Sequence, residues 1–89
     1  MKKAHTQIAE LDNLELHSQA LIIGDIIMMD SEKNLLTIID SSRAITIPIS
    51  KSRIDEVKDF DSRKNIEIKV QVRAKRPLTL HIMRISQGD

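Results

Sequence analysis

Gln19-Ala20-Leu21-Ile22-Ile23-Gly24-Asp25-Ile26-Ile27-Met28-Met29-Asp30 is the stretch whose reading decides the fold. Two short apolar runs, 20–23 and 26–29, flank a glycine and an aspartate. Neither approaches the ~20 residues of a membrane-spanning helix. The stretch is apolar on both faces, as is a strand central to a closed barrel or an oligomer. A glycine in mid-strand is destabilising unless it permits a bulge or a sharp bend. The expectation is therefore one long strand that changes direction at Gly24.

Working downstream, Asp30-Ser31-Glu32-Lys33-Asn34 is a polar hairpin loop, and Leu35 to Asp40 is a second strand. Ser41-Ser42 turns the chain into a third strand, Arg43 to Ser50, with Ile45, Ile47 and Ile49 facing inward. Pro48 cannot donate a ladder hydrogen bond, which points to a sheet edge or a bulge. The period then changes. Ile54, Val57 and Phe60 recur three apart and predict a helix over 51–61, with Ser52-Arg53-Ile54-Asp55 as a capping-box variant and Asp55 and Glu56 in its first turn. From Asn65 to Ala74 alternation is clean: Ile66, Ile68, Val70 and Val72 point one way, and Glu67, Lys69, Gln71 and Arg73 the other. Lys75-Arg76-Pro77 turns into a last strand, Leu78 to Ser86. Upstream, Ile8, Leu11 and Leu14 fit a short helix over 6–12 capped by Thr6. The divisions are an N-terminal arm or short helix (1–17), a barrel (18–86) and a tail (87–89).

The order strand, strand, strand, helix, strand, strand, with a long first strand bent at a glycine, resembles the OB-fold, a five-stranded Greek-key barrel. The resemblance covers roughly residues 18–86 and lies in topology, Gly24 and helix position. It implies a mainly β, small five-stranded OB-like barrel with one short helix between strands three and four. It further implies that the first strand pairs with both halves and that Ile54, Val57 and Phe60 plug one end. Split-barrel and SH3-like barrels fit nearly the same pattern.

Composition agrees with a sheet. The 89 residues include fifteen Ile, eight Leu and three Val but one aromatic, Phe60. Ile and Val are stiff at χ1 and fit a pleated surface. A chain of this length builds one core, burying roughly 60–65% of its unfolded surface. Apolar residues at 40% and charged residues at 30% exclude a disordered tail. There is no cysteine, hence no disulfide, thiolate metal site or cysteine nucleophile. Lys2 and Lys3 are followed by polar residues rather than a secretory apolar run, so a cytoplasmic domain is expected. Net charge is +1, composed of −3 over residues 1–50, +4 over 51–76 and zero over 77–89. Any electrostatic footprint is local.

Catalytic constellations are scarce. His5, His17 and His81 share no element at metal-ligand spacing. Asp30-x-Glu32-x-Asn34 lacks the glycine and glutamate a calcium loop needs, with Leu35 and Ser41 in their places. Asp55, Asp59 and Asp61 lie among Lys51, Lys58, Arg63 and Lys64, a solvated mixed-charge face rather than an acid–base pair. Two glycines cannot cradle a phosphate. No enzyme, metal or cofactor is expected, and no membrane partner.

Two surfaces remain. Lys69, Arg73, Lys75 and Arg76, joined by Arg84, form a basic stripe able to contact phosphates, with Lys69, Gln71, Arg73 and Lys75 read onto one face. Stacking platforms worth ~1–3 kcal/mol per base are missing, because Phe60 reads as core. The plain alternative is a solvated sheet face. The second surface is Leu21, Ile23, Ile27 and Met29, with Met28 beside them. A barrel buries only one face of its first strand, so some of these lie outside, either beneath Ile8, Leu11 and Leu14 or as a contact surface. The expected function is a non-catalytic module for protein–protein interaction or self-association; single-stranded nucleic-acid binding is the alternative.

Overall fold

The structure, a computed structural model, describes residues 4–88. The elements run: a 3₁₀ helix at Ile8–Asn13, β1 at Gln19–Asp30, β2 at Leu35–Ile39, β3 at Ala44–Pro48, α1 at Lys51–Lys58, β4 at Ile66–Lys75 and β5 at Leu78–Gln87. All strand pairings are antiparallel, in the order β3-β2-β1-β4-β5. The first half of β1 pairs with β4 from Gln19↔Gln71 to Gly24↔Ile66, and the second half pairs with β2 from Asp25↔Ile39 to Asp30↔Leu35. One strand thus serves two half-sheets, as expected. The arrangement is compatible with an OB-like fold. The sheet is not closed by strand hydrogen bonds. β3 and β5 approach each other, and Arg53 Nη2 donates to the Met83 carbonyl at 2.8 Å on the exposed edge of β5.

Gly24 occupies the changeover because nothing larger fits. A Cβ there would lie 2.3 Å from the Ile39 carbonyl oxygen. The register shift itself comes later, with Ile27 as the extra residue between Ile26↔Ile38 and Met28↔Thr37. Two further shifts shape the other half. Arg73 is extra in β4, between Val72↔Leu80 and Ala74↔Thr79, and Met83 is extra in β5, between Val70↔Ile82 and Lys69↔Arg84. The second of these lets Ile82 and Ile85, three apart, both face inward.

Ile22, Ile26, Leu36, Ile38, Ile47, Ile66, Ile68, Val70 and Val72 fill the interior. Ile54 and Val57 of α1 join them, and Phe60 packs partly buried against the same cluster just beyond the helix. The helix begins two residues earlier than its capping-box reading. Ser50 is the N-cap, its hydroxyl accepting from Arg53 N–H at 3.4 Å, so Asp55 and Glu56 fall beyond the first turn. Pro48 lies in β3, an edge strand of the hydrogen-bonded order.

The N-terminal segment is 3₁₀ rather than α and starts after Thr6, whose N–H donates to the Leu21 carbonyl at 2.8 Å. Its cap comes from 32 residues away: Asp40 Oδ2 accepts Ile8 N–H at 2.8 Å. Asp40 Oδ1 accepts from the Ser42 N–H and hydroxyl and from Arg43 N–H, so one carboxylate holds the β2–β3 turn and docks the arm. Burial pulls the Asp40 carboxyl upward, but hydrogen bonds from the Ser42 hydroxyl and the Ile8, Ser42 and Arg43 amides outweigh it and hold it below the ordinary carboxylate value. Ile8 and Leu11 enter the barrel's own core and do not cover the outside of β1.

Candidate functional site

Alternation along a twisted strand sends every second side chain outward, and each bulge resets which ones. The outer face of the β1–β4–β5 half carries the rows Leu21–Lys69–Arg84, Gln19–Gln71–His81 and Ile23–Glu67–Ser86. Lys69 stands directly opposite Arg84, two cations side by side in a geometry that normally costs a few tenths of a kcal/mol. Lys69 is half-buried and Arg84 exposed. Glu67, in the neighbouring row, is 9% exposed and is the one buried charged residue among those described.

The basic stripe is shorter than its alternation suggests. The extra residue at Arg73 flips the strand, so Lys75 lies opposite Leu78, on the parity of the inner face. Its ammonium reaches back to the N-terminal segment and donates to the Asp12 carbonyl at 2.8 Å and to the Leu14 carbonyl. Lys75 is thereby a cap for the 3₁₀ helix end, where a cation complements unpaired carbonyls. Arg73 and Arg76 are exposed near the β4–β5 turn. Among the described residues, the ion pair seen is Arg43–Asp12, at 3.5 Å.

The outer face of the β1–β2–β3 half differs. Its rows are Asp25–Ile39–Ala44, Met28–Thr37–Thr46 and Asp30–Leu35–Pro48. Ile27, the extra residue, stands beside Met28 opposite Thr37. Ile27 is 59% exposed, Met28 40% and Ile39 37%. The Thr37 and Thr46 hydroxyls bond one another at 2.8 Å. Both aspartates of this face turn to local amides: Asp25 Oδ1 accepts Asn65 N–H at 3.0 Å, and Asp30 Oδ1 accepts from Glu32 and Lys33 N–H, each at 3.0 Å.

Of the four apolar candidates of β1, the structure leaves Ile27 out, turns Met29 against the core, and places Leu21 and Ile23 half-buried on the other half-sheet. Met28 and Ile39 take their places. The bulge at Ile27 is the reason: it moves Met28 outward and Met29 inward. Strand pattern alone did not reveal Ile39, which lies at the end of β2 where alternation is read over too few residues.

The chain is similar to the structure of the hypothetical protein ygiW from E. coli. The TM-score is 0.74 with 17% sequence identity, covering 97% of this chain and 91% of that one. At that identity the likeness shows the fold alone. No family model matches the chain, and no curated protein matches it. Among the described residues no group of three or more His, Asp or Glu side chains is placed to hold a metal ion, and no helix is long and apolar enough to cross a membrane.

Proposed function

We propose that this protein is a non-catalytic interaction module whose contact surface is the outer face of β1–β2–β3. Self-association is the form that contact takes when no other partner is present. The observation that carries the reading is the joint exposure of Ile27, Met28 and Ile39 on a face whose charged side chains among the described residues, Asp25 and Asp30, each accept from backbone amides. Exposed contiguous apolar side chains mark contact surfaces, and methionine suits an adaptable one. A net charge of +1 adds little opposition to the association of two copies.

Size-exclusion chromatography with light scattering tests this. The expected result is a dimer or larger species, indifferent to oligonucleotide. Ile27→Glu with Met28→Glu, both at exposed positions, is expected to give a monomer with an unchanged circular dichroism spectrum. A wild-type protein that stays monomeric at millimolar concentration overturns the reading.

A second reading rests on Lys69 opposite Arg84, with Arg73 and Arg76 further along. These side chains have no acidic partner among the described residues, and a single-stranded nucleic acid supplies one. Two phosphate contacts give a log K against log salt slope of about −1.4. Lys69→Glu with Arg84→Glu abolishes oligonucleotide retention at low salt under this reading; unchanged retention sinks it.

A further inference from the structure

We propose that the cleft at the bend of β1 binds the cationic end of a small amphiphile, a primary ammonium or guanidinium group on a short hydrocarbon stem. The cleft has a volume of about 360 Å³, in the range of small-molecule sites. Its lining includes Gly24, His5 and Gln7 of the N-terminal segment, and Ile39 to Ser41 at the end of β2.

The lining selects charge. Asp25 and Asp40 both line the cleft, and among the described residues no lysine or arginine does. Asp40 is saturated by its four donors and supplies a fixed negative field rather than a free acceptor. Asp25 differs. Its Oδ1 accepts Asn65 N–H at 3.0 Å, and its Oδ2 has no donor among the described residues. A partly desolvated carboxylate oxygen beside a second carboxylate favours a hydrogen-bonding cation, since charge-assisted bonds are about twice as strong as neutral ones. Ile23, half-buried, and Ile39, 37% exposed, give the stem an apolar wall next to that oxygen. An anion meets two carboxylates, and a neutral alkyl compound gains only the wall. The ligand comes either as a free alkylamine or as a lysine or arginine side chain presented by a peptide.

The test is an amide-resolved nuclear magnetic resonance titration of the full chain. The probes are butylammonium chloride and an end-blocked lysine tripeptide, with butan-1-ol and sodium butyrate as controls. Saturable shifts at Gly24, Asp25, Ile39, Ser41 and Asn65 are expected with either cationic probe and not with the controls. The probe that binds at least tenfold tighter identifies the source, and equal binding shows that the shared ammonium is what is read. Asp25→Asn keeps Oδ1 for Asn65 N–H and is expected to weaken binding at least tenfold. Ser41→Lys places a tethered ammonium at an exposed position on the rim and is expected to do the same; it decides the matter if Asp25→Asn does not fold. No saturable shift, equal shifts with butan-1-ol, or affinity within twofold of wild type in a folded variant overturns the proposal.

Discussion

Replacing Gly24 by alanine tests the account of the barrel's corner. The added methyl would sit 2.3 Å from the Ile39 carbonyl oxygen and 3.0 Å from its carbon, where ordinary contact begins at 3.4 Å. Both atoms are backbone, so relief requires β1 and β2 to part by about 1 Å where Asp25 pairs with Ile39. Overpacking of this kind costs about 1–3 kcal/mol. Loss of one ladder hydrogen bond adds about 0.5–1.5 kcal/mol. Alanine restricts the unfolded chain and returns about 0.4–1 kcal/mol. The net expectation is a loss of about 2 kcal/mol. With neither Trp nor Tyr in the chain, urea unfolding is followed by far-ultraviolet circular dichroism. The midpoint falls by roughly 1–2 M for a domain whose m-value is near 1–2 kcal/mol/M, and Tm falls by about 8–16 °C. A loss below about 0.5 kcal/mol refutes the close approach as the reason for glycine at this position.

Asp40→Ala removes the carboxylate that joins the β2–β3 turn to the 3₁₀ helix and is expected to cost about 1.5–3 kcal/mol at neutral pH. The native Asp40 carboxyl titrates below its ordinary value, so its contribution is present above about pH 4 and is lost as pH falls through the native value; urea midpoints of wild type and variant converge once pH lies below that native value. Leu11→Ala empties a site with 0% exposure and is expected to cost about 2–4 kcal/mol, whereas Leu16→Ala, at 48% exposure, stays within about 0.5 kcal/mol by thermal unfolding. His17 has φ of 71°, a region glycine occupies freely and β-branched residues do not, so His17→Gly is expected to be more stable than His17→Val by at least about 1 kcal/mol in the same assay.

Much of the architecture was readable because local pattern and tertiary role agree. The alternation of Ile66, Ile68, Val70 and Val72 survives because that stretch of β4 is flanked on both sides and unbulged. The stripe Ile54–Val57 survives because α1 has one buried face. Gly24 was recognisable as a corner, but the reason is close approach rather than a bulge at that residue. The bulges at Ile27, Arg73 and Met83 left no local signature, and each reverses the faces beyond it. That is why Met28 replaces Met29 on the surface and why Lys75 leaves the basic stripe. Long-range polar contacts were equally silent. Nothing near Ile8 announces that its cap is Asp40, and nothing near Lys75 announces that its partners are the carbonyls of Asp12 and Leu14.

The division of β1 between two partners also sets an order in time. Its second half meets β2 across the short loop 31–34, and β2 meets β3 across 40–43, so this meander closes only small rings of chain. Its first half meets β4 by joining Gly24 to Ile66 across the whole of β2, β3 and α1. Closing a ring about tenfold longer carries roughly 2 kcal/mol of additional entropy, which contacts within the meander must already have offset. The β4–β5 hairpin closes an equally small ring at Lys75↔Leu78, so the pairing of Gly24 with Ile66 is the step that carries this entropy, and joining the two halves depends on it.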